Sequence, residues 1–168
     1  VTETNPITVF MAHLDVVFPD TDPLPLKVQD GRMCCPGIGD DTANLAALLL
    51  AAKYVLEHRL QPVDGKGFVF VANAGEEGLG NLKGCKEIFN NYGDRIKRFY
   101  SFDGYMSQCT SIAVGSHRYR MQVQCPGGHS YLDFGKDNAI QIAAEIIHEL
   151  YRITPPQQEY TTYNVGRI

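Results

Sequence analysis

The sequence has no apolar run long enough to cross a membrane. The longest, residues 45–52, falls far short of the roughly 20 residues that a transmembrane helix needs. The N-terminus also lacks the basic region and apolar stretch of a signal peptide. We therefore expect no membrane partner. Because the chain begins at Val1, close to an apolar strand, we also expect a fragment boundary there.

A surplus of basic residues is also absent. The 168 residues carry a formal net charge of −4, whereas nucleic-acid-binding proteins usually show a basic excess. The composition, 44% hydrophobic and 20% charged, is that of an ordinary globular protein. We therefore expect no nucleic-acid partner.

Paired cysteines are missing too. The five cysteines are an odd number, and no two of them form a Cys-x-x-Cys motif. This pattern fits neither a disulfide scaffold nor a cysteine zinc site. It predicts free thiols in a reducing compartment, which indicates a cytoplasmic location.

Continuous apolar runs alternate with helix-like segments in the first two thirds of the chain. Residues 7–12, 67–73 and 98–102 are predicted to be strands, and residues 42–58 and 81–92 helices. The order strand, helix, strand, helix, strand predicts an α/β fold. We expect a right-handed parallel sheet with helices on both faces.

The pattern changes after about residue 115. Residues 118–125 alternate between apolar and polar, which predicts a half-exposed strand of an antiparallel sheet. Residues 138–151 have the spacing of an amphipathic helix, and residues 160–168 resemble the start of another strand. We therefore predict two domains, 1–114 and 115–168, and the second is the beginning of an α+β domain.

Metal-binding side chains follow the predicted strands. In parallel sheets, ligands bind beyond the carboxyl ends of the strands. The candidates at that edge are His13 and Asp15 after the first strand, Asp40 and Asp41 before the first helix, Glu76 and Glu77 after the second strand, and Asp103 after the third. The pattern thus places one imidazole and several carboxylates on a single edge.

This donor set suits zinc, or manganese or cobalt at similar sites. Many carboxylates and few histidines favour two metal ions, about 3.5–4 Å apart, that act together on a carbonyl. Asp15 lies two residues after His13, so in an extended chain its carboxylate can hold the far ring nitrogen. Of Glu76 and Glu77, one can bind metal while the other serves as a general base.

Each of these motifs by itself has an ordinary structural interpretation. An Asp-Asp pair before a helix is typical of an N-cap, and we expect Asp40 or Asp41 to cap this helix. A Glu-Glu pair is commonly a solvated turn, and an aspartate before glycine is commonly a turn residue. The metal-site hypothesis depends on four separate segments delivering such groups to one edge.

Five ordered motifs resemble a known family. They are His13-Leu14-Asp15, Gly37-Ile38-Gly39-Asp40-Asp41, Gly75-Glu76-Glu77-Gly78, Phe102-Asp103-Gly104 and Pro126-Gly127-Gly128-His129-Ser130. In this order they resemble the peptidase T and carboxypeptidase G family of co-catalytic zinc hydrolases, with the tripeptide aminopeptidase-like members most similar. The resemblance covers nearly the whole chain and implies a catalytic domain followed by a lid and dimerisation domain.

The resemblance also implies a role for each residue. His13, Asp40, Glu77 and Asp103 would bind two Zn²⁺ ions (Mn²⁺ or Co²⁺ being alternatives), with Asp40 bridging them; Asp15 would orient His13, Glu76 would be the general base, and His129 would bind substrate. The family's lid histidine often serves a partner subunit, which implies a homodimer. The family also has a final metal-binding histidine after the lid. This chain has no counterpart, since we interpret His58, His117 and His148 as structural.

Three functions remain open at this point. The first is hydrolysis of peptide bonds in short peptides by a zinc-activated hydroxide. Asp103 favours it, because in the family aspartate at this position tends to accompany aminopeptidases and dipeptidases. The second is deacylation of N-acyl amino acids by the same chemistry. The third is a chain that is inactive and only binds or dimerises.

Overall fold

The computed structural model describes residues 5–18, 23–63, 66–104, 107–156 and 160–168. Val1, where we expect a fragment boundary, lies outside these ranges. The chain divides into two compact units, Val1–Cys109 and Thr110–Ile168. This division falls a few residues before the boundary expected from the sequence.

The first unit contains a parallel sheet. In chain order its elements are β1 (Ile7–His13), β2 (Lys27–Gln29), β3 (Arg32–Cys34), α1 (Ala43–Glu57), β4 (Gly67–Asn73), α2 (Lys83–Tyr92) and β5 (Ile96–Ser101). Strands β4, β1 and β5 form the sheet in that order, and both pairings are parallel. The predicted α/β fold, a parallel sheet flanked by helices, is therefore confirmed.

The central strand, β1, is buried because it is apolar on both faces. Ile7, Val9 and Met11 point to one face and are at most 3% exposed. On the other face the Phe10 ring stacks between the rings of Phe70 and Tyr100, with centroids 5.4 Å from each. The sheet is thus held together by one aliphatic and one aromatic layer.

A small hairpin, β2–β3, follows β1 and was not predicted. Its strands are antiparallel, and Asp30 and Gly31 at its tip both have positive φ. Asp-Gly is a preferred pair for such a two-residue turn, because glycine and aspartate tolerate the left-handed region.

The carboxyl ends of the three sheet strands meet at one edge, which we call the rim. The ladder continues one residue beyond β1 and β5. The Leu14 amide donates to the Asn73 carbonyl and the Phe102 amide to the Met11 carbonyl, both at 2.8 Å. The chain therefore leaves each strand in a defined direction.

The second unit contains the predicted amphipathic helix, α3 (Ala139–Leu150). Asn138 is its N-cap, and its side-chain oxygen accepts from the amides of Ile140 and Gln141 at 2.9 and 3.1 Å. This bond satisfies donors that the first turn of a helix leaves free. No helix in the described ranges is both long and apolar enough to span a membrane.

The two strands predicted for the second unit are wrong. Within the described ranges, neither residues 118–125 nor residues 160–168 pair with another strand. A strand exists only as part of a ladder, so alternation without a partner segment does not produce one. Residues 160–168 are instead tied to the end of α3: the Tyr163 hydroxyl donates to the Ile153 carbonyl at 2.6 Å, and the Val165 amide donates to the Tyr151 hydroxyl at 3.1 Å.

Candidate metal centre

An irregular turn, Ile38–Thr42, brings Asp40 and Asp41 to the rim. It follows Gly37, whose φ of 78° is in the left-handed region, and a Cβ there would overlap the Val16 side chain. Asp40 and Asp41 are non-helical, and the peptide bond between them is cis. The prediction that one of them caps α1 is wrong. The N-cap position belongs to Thr42, and the aspartates lie in a turn directed towards the end of β1.

Asp41 is buried in this turn, with only 1% of its surface exposed. One carboxylate oxygen accepts from the His13 main-chain amide at 2.9 Å, and the other accepts from the Asn44 side chain at 2.6 Å. Both oxygens of this charged group are therefore satisfied within the protein.

His13, the last residue of β1, is 2% exposed. Its Nε2 lies 2.9 Å from Oδ1 of Asp40, and its Nδ1 lies 2.9 Å from the main-chain carbonyl of Asp15. A carbonyl only accepts, so Nδ1 carries a proton. This leaves Nε2 as the nitrogen available to a metal.

The pKa of His13 is raised above its ordinary value. Burial alone would lower the pKa. The hydrogen bonds to the Asp15 carbonyl and to Asp40 outweigh it, with the negative charges of Asp41 and Glu76 adding to them. Without a metal ion, the acidic surroundings thus favour the imidazolium form.

The Asp15 side chain has a different task from the one expected. Its Oδ1 lies 3.8 Å from Nδ1 of His13, too far for a hydrogen bond. Its two oxygens instead accept from the main-chain amides of Glu76 and Glu77, at 3.2 and 2.9 Å. Burial raises the pKa of Asp15, but these two amide bonds outweigh it and lower the pKa overall. Asp15 therefore orients His13 through its carbonyl and joins the loops after β1 and β4 through its carboxylate.

Glu76 and Glu77 follow a sharp turn at Gly75, where φ is 75°. Both side chains are half-buried. Burial raises the pKa of each, and nearby carboxylates raise it further: that of Asp103 acts mainly on Glu76 and that of Asp40 on Glu77. Glu76 thus retains a proton more readily than an ordinary glutamate, a property suited to a general base.

Asp103 extends from the turn after β5 and is exposed. Desolvation of its carboxylate raises its pKa, and the charge of Asp40 adds to the effect. The residues on either side are held in place. The Phe102 amide donates to Met11, and the Gly104 carbonyl accepts from the Asn44 side chain at 3.1 Å.

Two groups of potential ligand atoms share His13. One consists of His13, Glu76 and Glu77, and the other of His13, Asp41 and Asp103; in each, the ligand atoms lie within 4.8 Å of one another. Asp40 contacts the same imidazole, so His13, Asp40, Glu76, Glu77 and Asp103 come together as predicted. An imidazole whose Nε2 faces carboxylates rather than the main chain fits a divalent metal ion.

The second unit contains the remaining candidate, His129, at the start of a compact loop. Its Nδ1 accepts from the amides of Tyr131 and Leu132 at 3.2 and 3.4 Å, while its own amide donates to Asp133 at 2.7 Å. Since Nδ1 is an acceptor here, the ring proton is on Nε2. The Nε2–H group is therefore available to donate to a ligand.

Sequence reasoning missed the buried polar pair beneath the rim, Asp41 and Asn44. The sequence pattern predicted Asp41 as a carboxylate at this edge or as a possible cap, not as a buried group, and Asn44 was not among the candidates. A signal did exist: asparagine is a poor helix former, and Asn44 stands in the first turn of an otherwise Ala- and Leu-rich helix.

The fold and the rim together define a metal-dependent hydrolase of the α/β class. The model of Peptidase family M20/M25/M40 matches residues 9–164. The chain belongs to this family of hydrolytic metallopeptidases. A comparison with curated proteins finds no match.

Proposed function

We propose that the rim binds two divalent metal ions, with zinc as the favoured metal, and hydrolyses peptide bonds in short peptides. The observation that carries the proposal is the cluster around His13: its Nε2 contacts Asp40, and ligand atoms of Glu76, Glu77 and Asp103 lie within 4.8 Å of the imidazole. His13 would supply one nitrogen to one ion, and the surrounding carboxylates are numerous enough for a second ion, with Asp40 suited to be the bridge.

The chain's own residues supply the remaining functions. Bound metal would polarise the scissile carbonyl and acidify water. Glu76 takes a proton from the attacking water and passes it to the leaving amine, as its half-buried position and raised pKa favour. Glu77 and Asp103 would each hold one metal ion. Asp15 holds His13 and the Glu76–Glu77 turn in fixed positions relative to each other.

His129 is proposed to bind substrate. Its loop holds Nδ1 as an acceptor, which leaves Nε2–H as a donor suited to a carboxylate or to the oxygen of the scissile carbonyl. A homodimer is part of the proposal, because in the family that the chain resembles the lid histidine often serves a partner subunit.

Removal of N-terminal residues from di- and tripeptides is the favoured activity, because Asp103 takes the place of the glutamate of deacylases and carboxypeptidases. The same centre suits deacylation of N-acyl amino acids, so a panel of both substrate classes separates the two. Cleavage of N-acyl amino acids with no cleavage of free peptides would exclude the peptidase.

The experiment that tests the metal site is elemental mass spectrometry of the purified chain. We expect about two zinc equivalents in the native chain, as in two-metal hydrolases, and a loss of zinc in Asp40→Ala. Asp94→Ala, which removes an exposed carboxylate from the turn before β5, is the matched control and should retain zinc. Zinc uptake of one equivalent or none by the native chain would refute the two-metal proposal and favour a chain that only binds or dimerises.

A further inference from the structure

Asn44 links two parts of the rim that are distant in sequence. It lies in the first turn of α1 and is 4% exposed. Its side-chain amide donates to Oδ1 of Asp41 at 2.6 Å and to the Gly104 carbonyl at 3.1 Å. One amide group has two hydrogens, so this geometry uses both of them.

Asp41 carries the connection on to β1. The oxygen that Asn44 leaves free accepts from the His13 amide at 2.9 Å. A buried chain of hydrogen bonds therefore runs from the end of β1, through Asp41 and Asn44, to the turn after β5. His13, Asp41 and Asn44 are buried and Gly104 is half-buried, so an unmade bond among them would leave a polar atom with little or no access to water, which strongly favours this arrangement.

The two ends of this chain flank proposed metal ligands. At one end the anchored atom is the amide of His13 itself. At the other it is the carbonyl of Gly104, the residue after Asp103, while the residue before Asp103 is held by the ladder bond to Met11. Asp103 is exposed, so the packing of its own side chain does not determine its position. The bonds on either side of it do.

We propose that Asn44 is a positioning residue that sets the separation between His13 and Asp103. Asn44 does not touch the metal in this inference. Asn44 acts through Asp41 and Gly104. The inference rests on the proposed function in that Asp103 is taken as a ligand. Outer partners of this kind usually change metal affinity by about 10–100-fold when removed.

The test compares Asn44→Ala with Asn91→Ala in chains loaded with Co²⁺. Asn91 is also a helical asparagine with a side-chain hydrogen bond, to Glu87 at 2.9 Å, but it is exposed on α2. We expect Asn44→Ala to lower cobalt affinity by about 10–100-fold and to change the visible absorption spectrum at saturating cobalt. Asn91→Ala should reproduce the native spectrum and affinity. The spectrum reports ligand geometry, which a general loss of stability would leave unchanged once the site is full.

A native spectrum and native affinity in Asn44→Ala would overturn the inference. Should this variant fail to fold, Asn44→Leu fills the vacated volume without supplying a donor, and the same two outcomes apply to it. If the native chain takes up no cobalt, the proposed function fails, and the inference about Asn44 is then tested by hydrogen exchange of the metal-free protein. Faster exchange of the His13 amide in Asn44→Ala than in Asn91→Ala would support the inference, and equal rates would overturn it.

Discussion

Asp40 and Asp41 are neighbours in sequence, yet they belong to two different regions of the rim. Asp41 is 1% exposed and has both oxygens occupied by His13 and Asn44. The Asp40 side chain is 59% exposed and contacts only the His13 ring among the hydrogen bonds described. We call these the anchored side and the open side. Burial and saturation make the first a structural carboxylate, whereas access and spare lone pairs suit the second to the proposed role of a ligand.

The same contrast applies to the other groups. Asn44 and the Asp15 carboxylate have their hydrogen-bonding capacity directed to main-chain and side-chain partners. Glu76, Glu77 and Asp103 have raised pKa values, because desolvation and then the crowding of neighbouring carboxylates disfavour their charged forms. A cation would relieve this crowding. In the proposed function, the anchored side would therefore supply rigidity and the open side affinity for metal.

The largest expected effect is a difference in stability between variants of Asp41 and Asp40. Asp41→Ala leaves the buried His13 amide and one Asn44 hydrogen without an acceptor, so the free energy of unfolding of the metal-free chain should fall by about 2–4 kcal/mol. Asp40→Ala removes an exposed carboxylate and only one hydrogen bond, that to Nε2 of His13, and should cost less, about 1 kcal/mol. Urea unfolding followed by circular dichroism measures both. Equal losses would remove the distinction between the two sides.

A smaller effect distinguishes the roles of the two glutamates on the open side. Glu77→Gln should weaken zinc binding by on the order of 100-fold, because a neutral amide replaces a charged ligand. Glu76→Gln should retain zinc and lose turnover, since it removes a base rather than a ligand. Isothermal titration with zinc, combined with a peptide assay, distinguishes them. Retention of zinc by Glu77→Gln and its loss in Glu76→Gln would show that the two roles are reversed, with Glu76 as the ligand and Glu77 as the base.

The smallest expected effect is a pH trend of the metal-free chain. The raised pKa of His13 gives stability that is complete below its ordinary value of 6.5 and is lost as pH rises through the folded-state value. The raised pKa values of Glu76 and Glu77 act in the same direction from their ordinary value of 4.5 upwards. The urea midpoint should therefore decline as pH increases from about 4.5 to beyond 6.5.

Saturating zinc is the control for this trend. Metal requires deprotonated ligands, so in its presence the midpoint should rise over the same pH range. A metal-free midpoint that is constant or increases with pH would show that the open side is not under electrostatic strain.

Local sequence patterns predicted most of the first unit. Continuous apolar runs identify β1, β4 and β5 because parallel strands are buried on both faces. The strand–helix alternation then brings His13, Glu76, Glu77 and Asp103 to one edge, since ligands gather at the carboxyl ends of such strands. The β2–β3 hairpin also has a local signal, because Asp30-Gly31 is a preferred pair for a two-residue hairpin turn.

Other features lay beyond any local pattern. Residues 118–125 alternate correctly for a strand, but strand formation depends on a partner that alternation does not specify. The different burial of Asp40 and Asp41 could not be predicted from local pattern, because it results from how a single turn meets the end of β1; only the family resemblance gave Asp40 a separate role.

The sequence by itself therefore determined the strands and helices of the parallel sheet, their order and the type of side chain at the rim, because these follow from hydrophobic periodicity and side-chain type. Only the tertiary structure decided which oxygen faces which donor. It assigned the Asp15 carbonyl, not its carboxylate, to His13, and it placed Asn44 between Asp41 and Gly104. Such choices depend on contacts between residues up to 60 positions apart, and their energies exist only when the chain is folded.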